Sequence, residues 1–244
     1  MSDITLPTQV SGPSSENPES LFLYGTPKIG KTTILSGIPD NLIIDLERGS
    51  RYVTAMKIEV EDLTHLGQVG KALRESDKKY DFITIDTVSK LEEWCHNSAL
   101  KKYKESPLGR GSKIRNLAEL EYGLGYGLWR SEFRDWIDGL KSISKHIIFV
   151  GHVKDKVISK SGNEVTLRDI NLTGQLKAIM ASEVDAVGFF YLDPSNHNRR
   201  KVTFLTSDEI TCGNRIPRLE GQEFVISEKM ENGEIKTNWN LIYK

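Results

Sequence analysis

Gly25-Thr26-Pro27-Lys28-Ile29-Gly30-Lys31-Thr32-Thr33 sets four residues between two glycines and follows the second with a lysine and two hydroxyls. A loop of this pattern can curl so that successive backbone N–H groups converge on one anion, because glycine tolerates the positive φ and the close approach of oxygen that such a nest requires. The apolar run 21–24 before it reads as a buried strand and the residues after it as the start of a helix. In that setting the G-x-x-x-x-G-K-[ST] spacing cradles the phosphates of a nucleotide. Residues 25–33 then contact the phosphates, Lys31 bridges the β- and γ-phosphates, and the Thr32 hydroxyl ligates magnesium. The alternative is a glycine-rich turn with no ligand.

Magnesium needs a second oxygen anchor, and Asp86 offers one at the end of the run Phe82-Ile83-Thr84-Ile85; an aspartate here can instead cap the next helix. Hydrolysis needs a group that deprotonates or orients water. Thr87 follows Asp86, where the AAA+ branch carries a glutamate, and this argues against that branch. Glu47, closing Leu42-Ile43-Ile44-Asp45-Leu46-Glu47, is the candidate base by the RecA-type arrangement; otherwise it is an exposed carboxylate paired with Arg48. His152 ends the run 145–152 at the carboxyl edge of the sheet, where open α/β sheets hold their ligands. It can sense the γ-phosphate and relay it to the next loop, or it can satisfy a buried backbone group. The nearest string to a guanine-reading [NT]-K-x-D element, Val153-Lys154-Asp155-Lys156, lacks it, so the expected cofactors are ATP and Mg2+.

Six apolar runs, 21–25, 41–47, 80–86, 145–152, 185–192 and 201–206, are expected strands. The first four are nearly continuously apolar, as strands buried on both faces of a parallel sheet must be. Between them, 66–75 and 128–144 repeat apolar residues at three and four, the spacing of amphipathic helices. Residues 193–200 and Asn232-Gly233 are hairpin turns, which adds antiparallel strands at one end. The expected fold is therefore α/β: a doubly wound, mostly parallel sheet flanked by helices around the P-loop, with antiparallel C-terminal hairpins. The expected organisation is a flexible arm over 1–20, rich in Pro, Ser, Gly and Asn, a core over 21–206 and a hairpin extension over 207–244 packed on it. Within the arm, 4–10 can pair as an added strand on a neighbour or stay disordered.

With 33 basic and 34 acidic residues the net charge is -1, so no global field draws the chain to a polyanion and any such site is a local patch. Cys95 and Cys212 lack metal spacing and suggest free thiols in a reducing compartment. The first twenty residues show no leader pattern and no run approaches the roughly 18 apolar residues of a membrane span. The expectation is a cytoplasmic protein without a membrane partner.

Three groups of cations have candidate roles. Lys154, Lys156, Lys160 and Arg168 lie in the polar stretch after His152, the loop through which RecA-like proteins contact DNA phosphates; the alternative is a solvated hairpin turning at Ser161-Gly162-Asn163. Residues 100–115 carry six basic side chains and one acidic, with Tyr103 able to stack on a base. Arg199, Arg200 and Lys201, with Arg215 as a further candidate, resemble the cations that RecA-type subunits supply in trans to the γ-phosphoryl of a neighbour, or else serve surface solubility.

The set 25–33, 42–49, 82–87 and 149–153, with Tyr122-Gly123-Leu124-Gly125-Tyr126-Gly127 before the fourth strand and 238–244 at the end, resembles the compact RecA-core phage ATPases, including the single-strand-annealing recombination proteins of the Sak-four type. The resemblance covers most of 20–244. It implies a RecA-like P-loop NTPase core, in the host cytoplasm if phage-encoded, and an ATPase that binds single-stranded DNA and assists recombination or annealing. It further implies a homo-oligomeric ring or filament that works beside a single-strand-binding protein or other recombination proteins. The competing readings are a P-loop kinase of a small molecule, with Asp45 and Glu47 placing an acceptor hydroxyl, and an ATP-dependent switch or loader acting on a protein.

Overall fold

The computed structural model describes residues 6, 8–160, 163–207 and 209–244. Most of the 4–10 segment considered as an added strand, and the turn residues Ser161 and Gly162, lie outside the described residues. In chain order the elements are β1 (Ser20–Gly25), α1 (Lys31–Leu35), β2 (Asn41–Asp45), β3 (Met56–Glu59), α2 (Leu63–Glu75), β4 (Phe82–Asp86), α3 (Val88–Glu105), α4 (Leu124–Lys141), β5 (His146–Lys160), β6 (Asn163–Ile170), α5 (Leu176–Glu183), β7 (Ala186–Leu192), β8 (Arg199–Thr203), β9 (Gly213–Asn214), β10 (Glu223–Lys229) and β11 (Ile235–Thr237).

The strands join one sheet in the order β11-β10-β8-β7-β1-β5-β4-β2-β3, with β6 added to β5 and β9 to β7. From β3 to β7 all neighbours are parallel; β8, β10 and β11 follow antiparallel. This is the mixed α/β sheet expected, mostly parallel with antiparallel strands at its C-terminal end. Register aligns the strand ends that carry the chemistry: Asp45 sits opposite Asp86, Asp86 opposite Val150, and Gly25 opposite His152. Right-handed crossovers bring those ends to one edge.

Both sheet faces are covered, which is why the central strands read as continuous apolar runs. One face packs Phe22, Tyr24, Ile44, Ile85 and Phe149 under α2–α5. The other packs Leu21, Leu23, Ile43, Ile148 and Val150 under α1 and the C-terminal segment. Helix α1 has only five residues, too few to be stable without tertiary support. That support comes from the C-terminal segment, where the Trp239 indole N–H donates to the Ile34 carbonyl at 3.0 Å.

Several boundaries differ from expectation. The short edge strand β3 has no apolar run to announce it, because its pattern is half exposed. Strand β2 stops at Asp45, two residues early, because the Asp45 side chain folds the chain into a turn. Strand β5 continues eight residues beyond His152 and pairs with β6. The segment through residue 20, expected to be flexible, is docked from Glu16 onward: Arg218 donates to the Glu16 carbonyl and the Asn17 side chain, and His146 Nδ1 donates to the Pro18 carbonyl.

Trp239 is 5% exposed, and Trp239→Ala removes both its buried ring and the cap on Ile34. Destabilisation of about 3–5 kcal/mol is expected, measurable as a lower urea midpoint with an unchanged slope.

Candidate nucleotide and metal site

Strand β1 delivers the chain to the loop beside β7, where a Cβ on Gly25 would stand 2.3 Å from the Phe190 carbonyl oxygen. Only glycine lets the two strands pair there. The loop then turns through two left-handed residues, Lys28 at φ 62° and Gly30 at φ 96°. Amides that turn inward send carbonyls outward, and those carbonyls need donors. Lys31 Nζ serves two of them, donating to the Gly25 and Thr26 carbonyls at 3.0 and 2.9 Å. Lys31 is 8% exposed, and burial pulls its ammonium down to about 8. An arriving phosphate supplies the negative charge that this cation lacks.

The Thr32 hydroxyl donates to Asp86 Oδ2 at 2.6 Å. The two oxygens expected to hold magnesium thus meet directly beneath the loop, and both are the hard donors that this ion takes. Asp86 is 6% exposed, and burial raises its carboxyl above the ordinary aspartate range; a bound divalent cation reverses that preference.

Asp45 builds the next piece. Its carboxylate accepts the amides of Glu47, Gly49 and Ser50 at 3.0, 3.2 and 2.7 Å, turning the chain so that Glu47 points back over the sheet edge. Glu47 Oε1 accepts from the Thr87 hydroxyl at 2.6 Å, and Oε2 faces His152 Nε2 at 3.4 Å. The hydrogen bond with His152 is the main reason that the Glu47 carboxyl lies below its ordinary value, opposed by burial and aided by Thr87. Arg48 does not compete: it pairs with Glu61 at 2.5 Å. His152 has no backbone partner for its ring, and Nδ1 is buried without a hydrogen bond among the described residues. The whole set lines one cleft of about 470 Å³ with Pro27, Lys28, Gly30, Lys31, Thr32, Thr33, Asp45, Glu47, Asp86, Thr87 and His152 on its walls.

A family model for the AAA domain matches residues 17–216. The chain belongs to the AAA domain family. The match leaves open the narrower point read from the sequence, that Thr87 stands where the AAA+ branch carries a glutamate. The Thr87 hydroxyl does hold a carboxylate, that of Glu47 from beyond the end of β2. No curated protein matches the chain in sequence. Among solved structures it is similar to the crystal structure of the RadB recombinase, at 15% identity and a TM-score of 0.48, covering 92% of this chain and 93% of that one. No helix among the described residues is long and apolar enough to cross a membrane.

The cation groups fare differently. Lys154 and Lys156 are exposed on one face of the β5–β6 hairpin. Arg168 sits across from Asp155 on the other face, its guanidinium 5.7 Å from the Phe189 ring centre. The Lys160 side chain lies outside the described residues. Residues 100–115 contribute nothing to the cleft walls; Lys102 pairs with Glu132 at 2.5 Å, and Tyr103 lines a separate groove between α3 and α4. The three cations of β8 do not form the single outward group expected of a finger, because a strand alternates its side chains. Arg199 pairs with Glu228 at 2.9 Å, and Lys201 with Glu223 at 2.9 Å and Asp193 at 3.4 Å. Arg200 turns to the opposite face and meets the chain's own phosphate loop, its Nε donating to the Ile29 carbonyl at 2.9 Å. Arg215 is held by the Ser182 carbonyl at 2.6 Å. Thr87 and the loop contact of Arg200 were missed from the sequence; position directly after the Asp86 strand was the available signal for the first.

The raised Asp86 carboxyl means that the metal-free folded state binds a proton more tightly than the unfolded chain. Stability therefore falls as pH rises from the ordinary aspartate range to that raised value, and stays lower above it. Asp86→Asn removes this loss: thermal unfolding of the metal-free variant should be flatter with pH and higher at neutral pH, while magnesium should no longer add to its stabilisation by nucleotide.

Proposed function

We propose that this AAA domain is an ATP hydrolase whose turnover responds to single-stranded DNA bound at the β5–β6 hairpin, serving recombination or strand annealing as a homo-oligomer. The observation that carries the reading is the double attachment of His152. Its ring faces Glu47 at 3.4 Å, while its backbone carbonyl accepts the Asn171 amide at 3.0 Å. The hairpin thus leaves the sheet at His152 and returns to it, so a displacement of the hairpin and a change at Glu47 share one residue.

In the chemical step Glu47 takes a proton from water as its oxygen bonds to the γ-phosphorus. The bond from that phosphorus to the β–γ bridging oxygen breaks, leaving its electron pair on ADP, where Lys31 stabilises the charge. Thr32 and Asp86 would hold a magnesium ion, which would supply further neutralisation of the phosphate charge. The depressed carboxyl of Glu47 keeps it ionised and ready to accept. The kinase reading loses support, because the Asp45 carboxylate is engaged by three backbone amides and has little capacity left for an acceptor hydroxyl.

For DNA, Lys154 and Lys156 supply phosphate contacts on one hairpin face, and the proposal extends to Lys160. Tyr52, at 94% exposure between the cleft-lining residues Gly49 and Val53, offers a second copy a surface beside the cleft.

Glu47→Gln should bind ATP and hydrolyse it at least about tenfold more slowly; unchanged turnover in a steady-state assay removes Glu47 as base. Lys31→Ala should lose ATP binding or turnover in the same assay. Single-stranded DNA should stimulate phosphate release from the wild type. Neutralising Lys154, Lys156 and Lys160 together should flatten the dependence of DNA affinity on salt by roughly one contact per lysine, read by fluorescence anisotropy at several ionic strengths; an unaltered slope excludes the hairpin as the main contact.

A further inference from the structure

Arg200 lies two strands away from the phosphate loop in the sheet, since β7 separates β8 from β1, yet its side chain reaches over β7 to that loop. Nε donates to the Ile29 carbonyl at 2.9 Å. A Cβ on Gly30, the left-handed residue before Lys31, would stand 3.4 Å from Nε and 3.7 Å from Nη2. The guanidinium thus lies against the turn of the nest. Its flanking residues differ in one respect that matters: Arg199 and Lys201 are neutralised by carboxylates, whereas Arg200 has no carboxylate partner among the described residues, and its Nη1 is shut from solvent without a hydrogen bond there.

Two cations serve the outward carbonyls of this loop, Arg200 at Ile29 and Lys31 at Gly25 and Thr26. Lys31 must release its carbonyls to reach a phosphate. Arg200 need not, because its contact is on the far side of the turn. Once a nucleotide is bound, Arg200 is therefore the side chain that still holds the loop's outer wall. Its uncompensated charge stands behind amides that converge on the β-phosphate, so it favours any anion seated there.

We propose that Arg200 is a positioning residue acting in cis: it braces the phosphate loop through the Ile29 carbonyl and adds one positive charge to the binding of nucleoside di- and triphosphates alike. The role rests on the nucleotide-binding reading of the cleft but not on hydrolysis. It differs from a finger in trans, which meets a neighbour's γ-phosphate and so distinguishes ATP from ADP.

The test is titration of ATP and ADP into wild type, Arg200→Ala, Arg200→Gln and Arg200→Lys, at a dilution where sedimentation shows monomers. Arg200→Ala should weaken both ligands about tenfold, the scale of one charge-assisted contact, with their affinity ratio unchanged. Arg200→Gln should lower the salt dependence of ADP binding, a readout that mere loss of packing leaves alone, and Arg200→Lys should recover part of the affinity. If Arg200→Ala does not fold, the Gln and Lys variants carry the comparison. Undiminished affinity in a folded variant overturns the proposal, as does a loss confined to ATP. Mixing Lys31→Ala with Arg200→Ala gives a second check: no activity beyond the separate proteins is expected, and recovered turnover means that Arg200 acts on a neighbour. A wild type that binds nucleotide without hydrolysing it sinks the ATPase reading and leaves the binding comparison intact.

Discussion

The Glu47 carboxylate, shared between the Thr87 hydroxyl and the His152 ring, ties together the ends of three strands. Each partner comes from a different segment: Glu47 follows β2, Thr87 follows β4, and His152 belongs to β5. Nothing local in any one of them places it near the others. What does so is the parallel register of the sheet, which sets Asp45 against Asp86 and Gly25 against His152. A one-residue slip would send every side chain of a strand to the other face. The buried apolar runs that fix the register are therefore as much a condition of the chemistry as the polar residues at their ends.

Charge balance in the cleft has a common theme. Burial lowers the Lys31 ammonium and raises the Asp86 carboxyl, so the groups meant for phosphate and cation are both held away from their preferred ionised forms. Thr32 partly relieves Asp86, and two carbonyls partly relieve Lys31. The proposed magnesium–nucleotide complex would bring opposite charge to each of them. Desolvation of this kind weakens the protein alone and strengthens its complex, a trade often made at functional sites.

The phosphate loop, Asp86, Glu47 and His152 were legible in the sequence because each ends an apolar run, and a parallel sheet gathers such ends at one edge. The sheet's mostly parallel order and its antiparallel C-terminal strands were legible for a similar reason, from run length and turn residues. Thr87 was not legible as a holder of Glu47, since a hydroxyl becomes a partner only when a separate strand brings a carboxylate to it. Arg199, Arg200 and Lys201 looked like one basic group; the alternation of β8 splits them, and only the start of that strand decides which one faces the loop. Strand β3, short and half exposed, has too little apolar signal to be found.

The β5–β6 hairpin grows without a break out of a central strand, paired residue for residue from Val153 with Ile170 to Lys160 with Asn163. At about 3.3 Å per residue, its far end stands on the order of 25 Å from the cleft. A two-stranded ribbon of this kind is a lever whose fulcrum is the sheet edge. A sideways push at the tip arrives at the base as torque, with no joint in between to absorb it, and a long, thin arm turns a large excursion outside into a small rotation within.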